Sequence, residues 1–102
     1  MEMLRIRVHA RDDKSNELMR TFQLILDQAA REEGCTDCHL SRDSENGIIF
    51  TMQQHWQRWS LLNDFLGSEH FQALLGAMKS LSQTYVIEIT DSKHRERRDS
   101  PI

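Results

Sequence analysis

Cys35-Thr36-Asp37-Cys38-His39 places two thiols and an imidazole within five residues. This C-x-x-C-H spacing is the one by which haem c is tethered, with both thiols on the vinyl groups and the histidine on iron. Such attachment requires an oxidising, exported setting. The chain begins Met-Glu-Met-Leu-Arg-Ile-Arg-Val, where charges interrupt every short apolar run, and it contains no 18-residue apolar segment. It is therefore read as a cytoplasmic protein whose cysteines stay reduced. The same stretch also reads as a strand. Residues three apart on a regular strand project to opposite faces, so Cys35 and Cys38 would not share a metal, and no metal site is expected.

Histidine is the natural base near neutral pH, and His9, His39, His55 and His70 are the candidates. His9 shares a face with Arg5 and Arg7. Phe22, Phe50, Met52, Trp56, Phe65 and Phe71 fall at core spacings, and simple packing is the ordinary role of each. Once buried, Trp56 needs a partner for its indole N–H. Arg5, Arg7 and Arg42 have the chemistry to hold an anionic substrate, although solvated or interfacial ion pairing is the commoner use of such residues.

These side chains must be positioned by a single modest core, since the chain has 102 residues. Leu4, Ile6 and Val8 alternate with Arg5, Arg7 and His9, which predicts a strand over Met3 to His9. A polar turn follows, in which Asp13 or Ser15 can cap the next helix. Leu18, Phe22, Ile25, Leu26 and Ala29 then form a helical stripe over 16–33, with Gly34 as the expected stop. Cys35 to Arg42 predicts a second strand. Asn46-Gly47 suits a hairpin turn with positive φ. The run 48–56 is β-branched and aromatic, hence a third strand. Trp59, Leu62 and Leu66, with Leu61 and Phe65 beside them, predict a short helix ending at Gly67. Ser68 then caps a longer helix bearing Phe71, Leu74, Leu75, Met78 and Leu81. Thr84 to Ile89 is the last strand.

The order is βαββαβ, which is a ferredoxin-like α+β arrangement: an antiparallel four-stranded sheet with the helices on one face. The opposite face is expected to be partly apolar, and pressing two such faces together about a twofold axis predicts a homodimer. Residues 1–91 form the domain. Residues 92–102 are a charged tail, read either as a solvated terminus or as an arm carrying Lys93, Arg95, Arg97 and Arg98 across a partner. Charged residues make up 28% of the chain and the net charge is −3, which points to no nucleic-acid partner and no membrane partner.

Gly34-Cys35 followed by Leu40-x-Arg42-Asp43, then Phe50, Gln54-x-Trp56 and Ser68-x-His70-Phe71, resembles the antibiotic biosynthesis monooxygenase family, the dimeric α+β barrel proteins. The resemblance runs from about residue 3 to residue 90. Its departures are Cys38 at a place commonly aromatic, Gln54 for the usual Glu, Phe65 where His is frequent, and Glu69 for a common Pro. The family's haem-degrading branch uses an Asn in the first strand, a Trp in the short helix and an iron-ligating His in the last. The matching positions here are Phe65 and Leu75, and the first strand has no Asn, so the resemblance implies no haem degradation. It implies instead oxygenation of a small phenol or quinol without cofactor, in an apolar pocket between sheet and helices. The resemblance places His70 at a family position as a candidate base and implies a pocket that some of Phe22, Phe50, Met52, Trp56, Phe65 and Phe71 line as substrate-binding residues; His39 is the second candidate base, from its residue type alone. The alternative is a dimer that binds a small aromatic or hydrophobic ligand without chemistry.

Overall fold

Strict alternation in the first strand sets the architecture. In the computed structural model, which describes residues 2–91, 93 and 95–100, β1 (Glu2–Ala10) lies at the centre of a sheet ordered β2-β3-β1-β4-β5. Between and after these strands come α1 (Ser15–Ala30), β2 (Cys35–Arg42), β3 (Ile49–Trp56), α2 (Trp59–Leu66), α3 (Glu69–Leu81), β4 (Ser82–Thr90) and β5 (Arg95–Asp99). All pairings are antiparallel. Ile6 stands opposite Met52 on one side and Ile87 on the other, and Val8 stands opposite Phe50 and Tyr85. These six side chains point to the helix layer and are buried. Burying each large apolar one contributes about 1.5–3 kcal/mol relative to exposure.

The helices meet that face through their own stripes. Leu18, Phe22, Ile25 and Ala29 of α1, Leu62, Phe65 and Leu66 of α2, and Phe71, Leu74 and Met78 of α3 are all buried. Trp59, placed by its spacing in the α2 stripe, is instead 41% exposed. It begins the helix, before the turn that reaches the core.

Several local expectations are corrected. Neither Asp13 nor Ser15 caps α1, because Lys14 occupies that position and makes no side-chain cap hydrogen bond. The helix ends at Ala30, and Gly34 lies beyond an intervening turn as the residue that launches β2. Asn46-Gly47 adopts no positive φ. The connection is longer than a two-residue hairpin and is held by Asp43, whose Oδ1 accepts the backbone N–H groups of Glu45 and Asn46 at 2.8 and 3.1 Å. Those two donors, helped by Arg7, hold the Asp43 carboxyl below the usual carboxylate range. Ser68 does cap α3, accepting from the Phe71 N–H at 3.2 Å.

The sheet has a fifth strand beyond the four expected. Arg95–Asp99, within the charged tail, pairs along β4 with every residue exposed. An edge strand with no face to bury carries no apolar period, so nothing in its pattern announces it. Residues 92, 94, 101 and 102 of the tail lie outside the described residues. The outer face of the sheet is also more polar than expected. Arg5, Arg7, His9, Thr51, Gln53, His55 and Glu88 occupy it, with Met3, Ile49 and Val86 as half-buried apolar members. Arg5 and Glu88 pair there at 3.1 Å.

Gly34 is the one residue at positive φ, 94°, among the described residues. A Cβ there would run into the Leu61 side chain of α2, while its carbonyl accepts the Gln57 N–H at 2.8 Å. The start of β2, the end of β3 and α2 therefore meet where only glycine fits. Gly34→Ala is expected to lower stability by at least about 1–3 kcal/mol, since backbone strain and the Leu61 collision act together. Thermal denaturation checks this, and an unchanged midpoint would show that the close approach is not obligatory.

Candidate functional site

The chemistry-bearing stretch at 35–39 lies on β2, at one edge of the sheet. Its pairing with β3 shifts by one residue between Cys35 and Asp37, a bulge at Thr36. The consequence is that Cys35 stands opposite Trp56 and Cys38 opposite Gln54, both on the helix side. The regular alternation that would have separated the cysteines is broken, and their sulfurs form a disulfide. This overturns the expectation of two reduced thiols on opposite faces. Asp37 and His39, paired with His55 and Gln53, face the outer side instead. A haem tether needs both sulfurs and the imidazole to reach one macrocycle, and this strand sends them to opposite sides of the sheet. No group of three His, Cys, Asp or Glu among the described residues is placed to hold a metal ion.

On the helix side, the aromatic residues implied as pocket lining are brought together. Phe22 meets Phe50 edge-on at 5.2 Å between ring centres, Trp56 meets Phe65 at 5.3 Å, and Phe65 meets Phe71 at 5.8 Å. Phe22, Phe50, Met52, Trp56 and Phe71 are closed off from solvent, so they are foremost core residues. The polar group among them is Gln54, fully buried, whose Oε1 accepts the Trp56 indole N–H at 3.0 Å. Its amide faces the Met52 sulfur at 3.7 Å. Trp56 thus has the partner its burial demands. Residues two apart on a strand share a face, so the Gln54-x-Trp56 spacing carried the signal for this pair.

Two cavities open beside this core. A pocket of about 140 Å³ under α2 is lined by Trp56, Leu61, Phe65 and Ser68, with Glu32, Glu33 and Asp64 around it. A wider groove of about 470 Å³ lies between α1 and β2. Met19, Leu26, Cys38 and Leu40 form its apolar wall, and Gln23, His39, Ser41 and Arg42 its polar part. Met19 sits one residue beside the α1 stripe, where a wide stripe extends, and its spacing alone does not mark it as a groove residue.

The described histidines do not converge on the core. His70 is exposed on the first turn of α3. His39 is exposed at the β2 edge, with its Nδ1 3.8 Å from Asp37 Oδ1. His55 Nδ1 is 3.7 Å from Asp37 Oδ2, is itself buried, and has no hydrogen-bond partner. Asp37 thus stands between two imidazoles, a juxtaposition across strands that no sequence spacing reveals.

The fold is a ferredoxin-like α+β domain carrying an extra edge strand, with the α1–β2 groove between sheet and helices. The antibiotic biosynthesis monooxygenase profile matches residues 1–76, and the chain belongs to that family. No curated protein matches the sequence. Among solved structures, PA3566 from Pseudomonas aeruginosa is similar at 20% identity, covering 91% of this chain and 94% of its own, with a TM-score of 0.79. An antibiotic biosynthesis monooxygenase is similar at 14% identity, with coverages of 92% and 100% and a TM-score of 0.79. A conserved protein from Methanosarcina mazei Go1 shares 20% identity, with coverages of 97% and 89% and a TM-score of 0.73. At such identities the likeness is one of fold. No helix among the described residues is long and apolar enough to cross a membrane.

Gln54→Leu keeps the volume but strands the buried Trp56 N–H, and is expected to cost about 1–3 kcal/mol. The loss should appear in the unfolding midpoint together with a shifted Trp56 indole proton resonance. Both remaining at their wild-type values would mean that the pair is not formed in solution.

Proposed function

We propose that this protein oxygenates a small phenol or quinol without metal or flavin, binding it in the groove between α1 and β2. The observation that supports this reading is the make-up of the groove within a monooxygenase family. Its wall of Met19, Leu26 and Leu40 suits a flat apolar ring, while His39, Ser41 and Arg42 suit a ring hydroxyl. A deprotonated phenol or quinol can itself give an electron to O₂, so the protein need only hold the ring, remove the proton and steady the resulting oxyanion. In this reading the ring hydroxyl sits at the open β2 rim of the groove, where the exposed His39 takes its proton. The Arg42 guanidinium faces the developing negative charge.

The test is oxygen uptake with a panel of quinols. Wild-type protein is expected to exceed the uncatalysed rate, and His39→Asn is expected to lower kcat by about 10²-fold or more. His70→Asn should leave kcat in place. Equal rates with and without protein, despite ligand binding, would remove the enzymatic reading.

A second reading, a non-catalytic binder of small hydrophobic ligands, is favoured by one feature of the core. The Gln54 carbonyl, where the family commonly has a carboxylate, is already occupied by Trp56, and no histidine among the described residues is buried between sheet and helices. A ligand retained in native mass spectrometry and unaltered by oxygen would support this reading.

We further infer a homodimer through the outer face of the sheet, held by complementary charge and not by apolar burial. Arg5 and Arg7 lie there with Glu88 and Asp37, so a twofold axis can set unlike charges against each other. Sedimentation should show a dimer that weakens as salt rises toward about 1 M. A monomer at every concentration in low salt would exclude it.

A further inference from the structure

The disulfide on β2 has no part in the proposed oxygenation, and its position suggests a second activity. Three residues of regular strand span about 10 Å. The bulge at Thr36 shortens that span to 7.1 Å between the Cys35 and Cys38 Cα atoms and turns both side chains to the helix side. The bridge closes a loop with only two residues inside it, so it constrains the unfolded chain far less than a long-range crosslink would. A device whose purpose was stability would join distant elements. This one joins two neighbours on an edge strand, which has a hydrogen-bonded partner on one side only. Both cysteines are half-buried, and Cys38 forms part of the wall of the open α1–β2 groove.

We propose that Cys35 and Cys38 are a reversible dithiol–disulfide couple that exchanges with external dithiols through the α1–β2 groove. An incoming thiolate attacks Sγ of Cys38, the sulfur that the groove wall presents. The bond between the two protein sulfurs breaks, its electron pair leaves on Cys35 Sγ, and that thiolate takes up a proton. The second thiol of the reductant then attacks its own sulfur in the mixed disulfide and expels the Cys38 thiolate, which is protonated in turn. In sum, two electrons and two protons pass from the dithiol to the protein, and the dithiol becomes a disulfide. Reduction removes the crosslink that spans the bulge and frees Cys38 to turn within the groove, so the redox state resets one wall of the cavity. This inference is independent of the oxygenase reading, because it requires neither substrate nor turnover.

The experiment uses the full chain in its native state. Protein is incubated with dithiothreitol without denaturant, quenched with iodoacetamide and weighed intact, and a second sample is re-exposed to excess oxidised glutathione before quenching. The expected result is two alkyl groups after reduction and none after reoxidation, with native circular dichroism throughout. Cys35→Ser and Cys38→Ser then report access: with oxidised glutathione, Cys38 in the first variant should form its mixed disulfide faster than Cys35 in the second. Should either variant fail to fold, the wild-type alkylation pattern still decides the main point. Alkylation only after unfolding would make the bridge a fixed structural one and overturn the proposal. Two thiols that stay free in the presence of oxidant would overturn it equally. Equal rates in the two variants would overturn the assignment of Cys38 as the sulfur attacked.

Discussion

The register of β1 against its two neighbours is the constraint on which the rest of the structure depends. Ile6 between Met52 and Ile87, and Val8 between Phe50 and Tyr85, give the sheet one dry face. A slip by one residue would send every one of these side chains to the other side and present Arg5, Arg7 and His9 to the helices. The helix layer, the aromatic cluster and both cavities exist because that register holds. So does the polar outer face, since the residues between the core positions have nowhere else to point.

Seen this way, the cavities are gaps at the margins of a well-filled layer. Phe22, Phe50, Trp56 and Phe71 close the middle, and space is left where α1 meets the β2 edge and where α2 meets Trp56. A ligand in either place would lie against the core rather than inside it. The buried polar pair of Gln54 and Trp56 stands between the two, so the site region is held by a neutral hydrogen bond where a carboxylate is common in the family. A neutral amide avoids the desolvation that an ionised group would suffer there.

Much of this was legible in the sequence. The alternation in β1 and the stripes of α1 and α3 gave the element order, and the Gly34 to Asp43 and Gln54-x-Trp56 patterns carried the family resemblance. What escaped had a common origin, in that it depends on how backbones pair. The bulge at Thr36 reverses the facing of Cys35 relative to Cys38, and no count of residues along β2 foretells it. Asp37 meets His55 only because β2 and β3 pair in one particular register. β5 buries nothing, so it lacks the periodicity by which the other strands are recognised. Gly34 reads as a helix stop along the chain, whereas its positive φ and its closeness to Leu61 make it the junction of three elements.

β5 also determines where the sheet ends. A strand edge with unpaired N–H and C=O groups is a template for another chain, and a flat apolar edge invites fibrillar growth. Here Arg95, Glu96, Arg97, Arg98 and Asp99 line that edge, with Arg97 joined to Asp99 and Arg98 to Glu96 at 2.8 Å. An approaching strand would have to strip water from five charged side chains to dock. The tail thus acts as a selvedge that keeps the sheet from fraying into its neighbours, and leaves β2 as the edge on which this molecule is open to others.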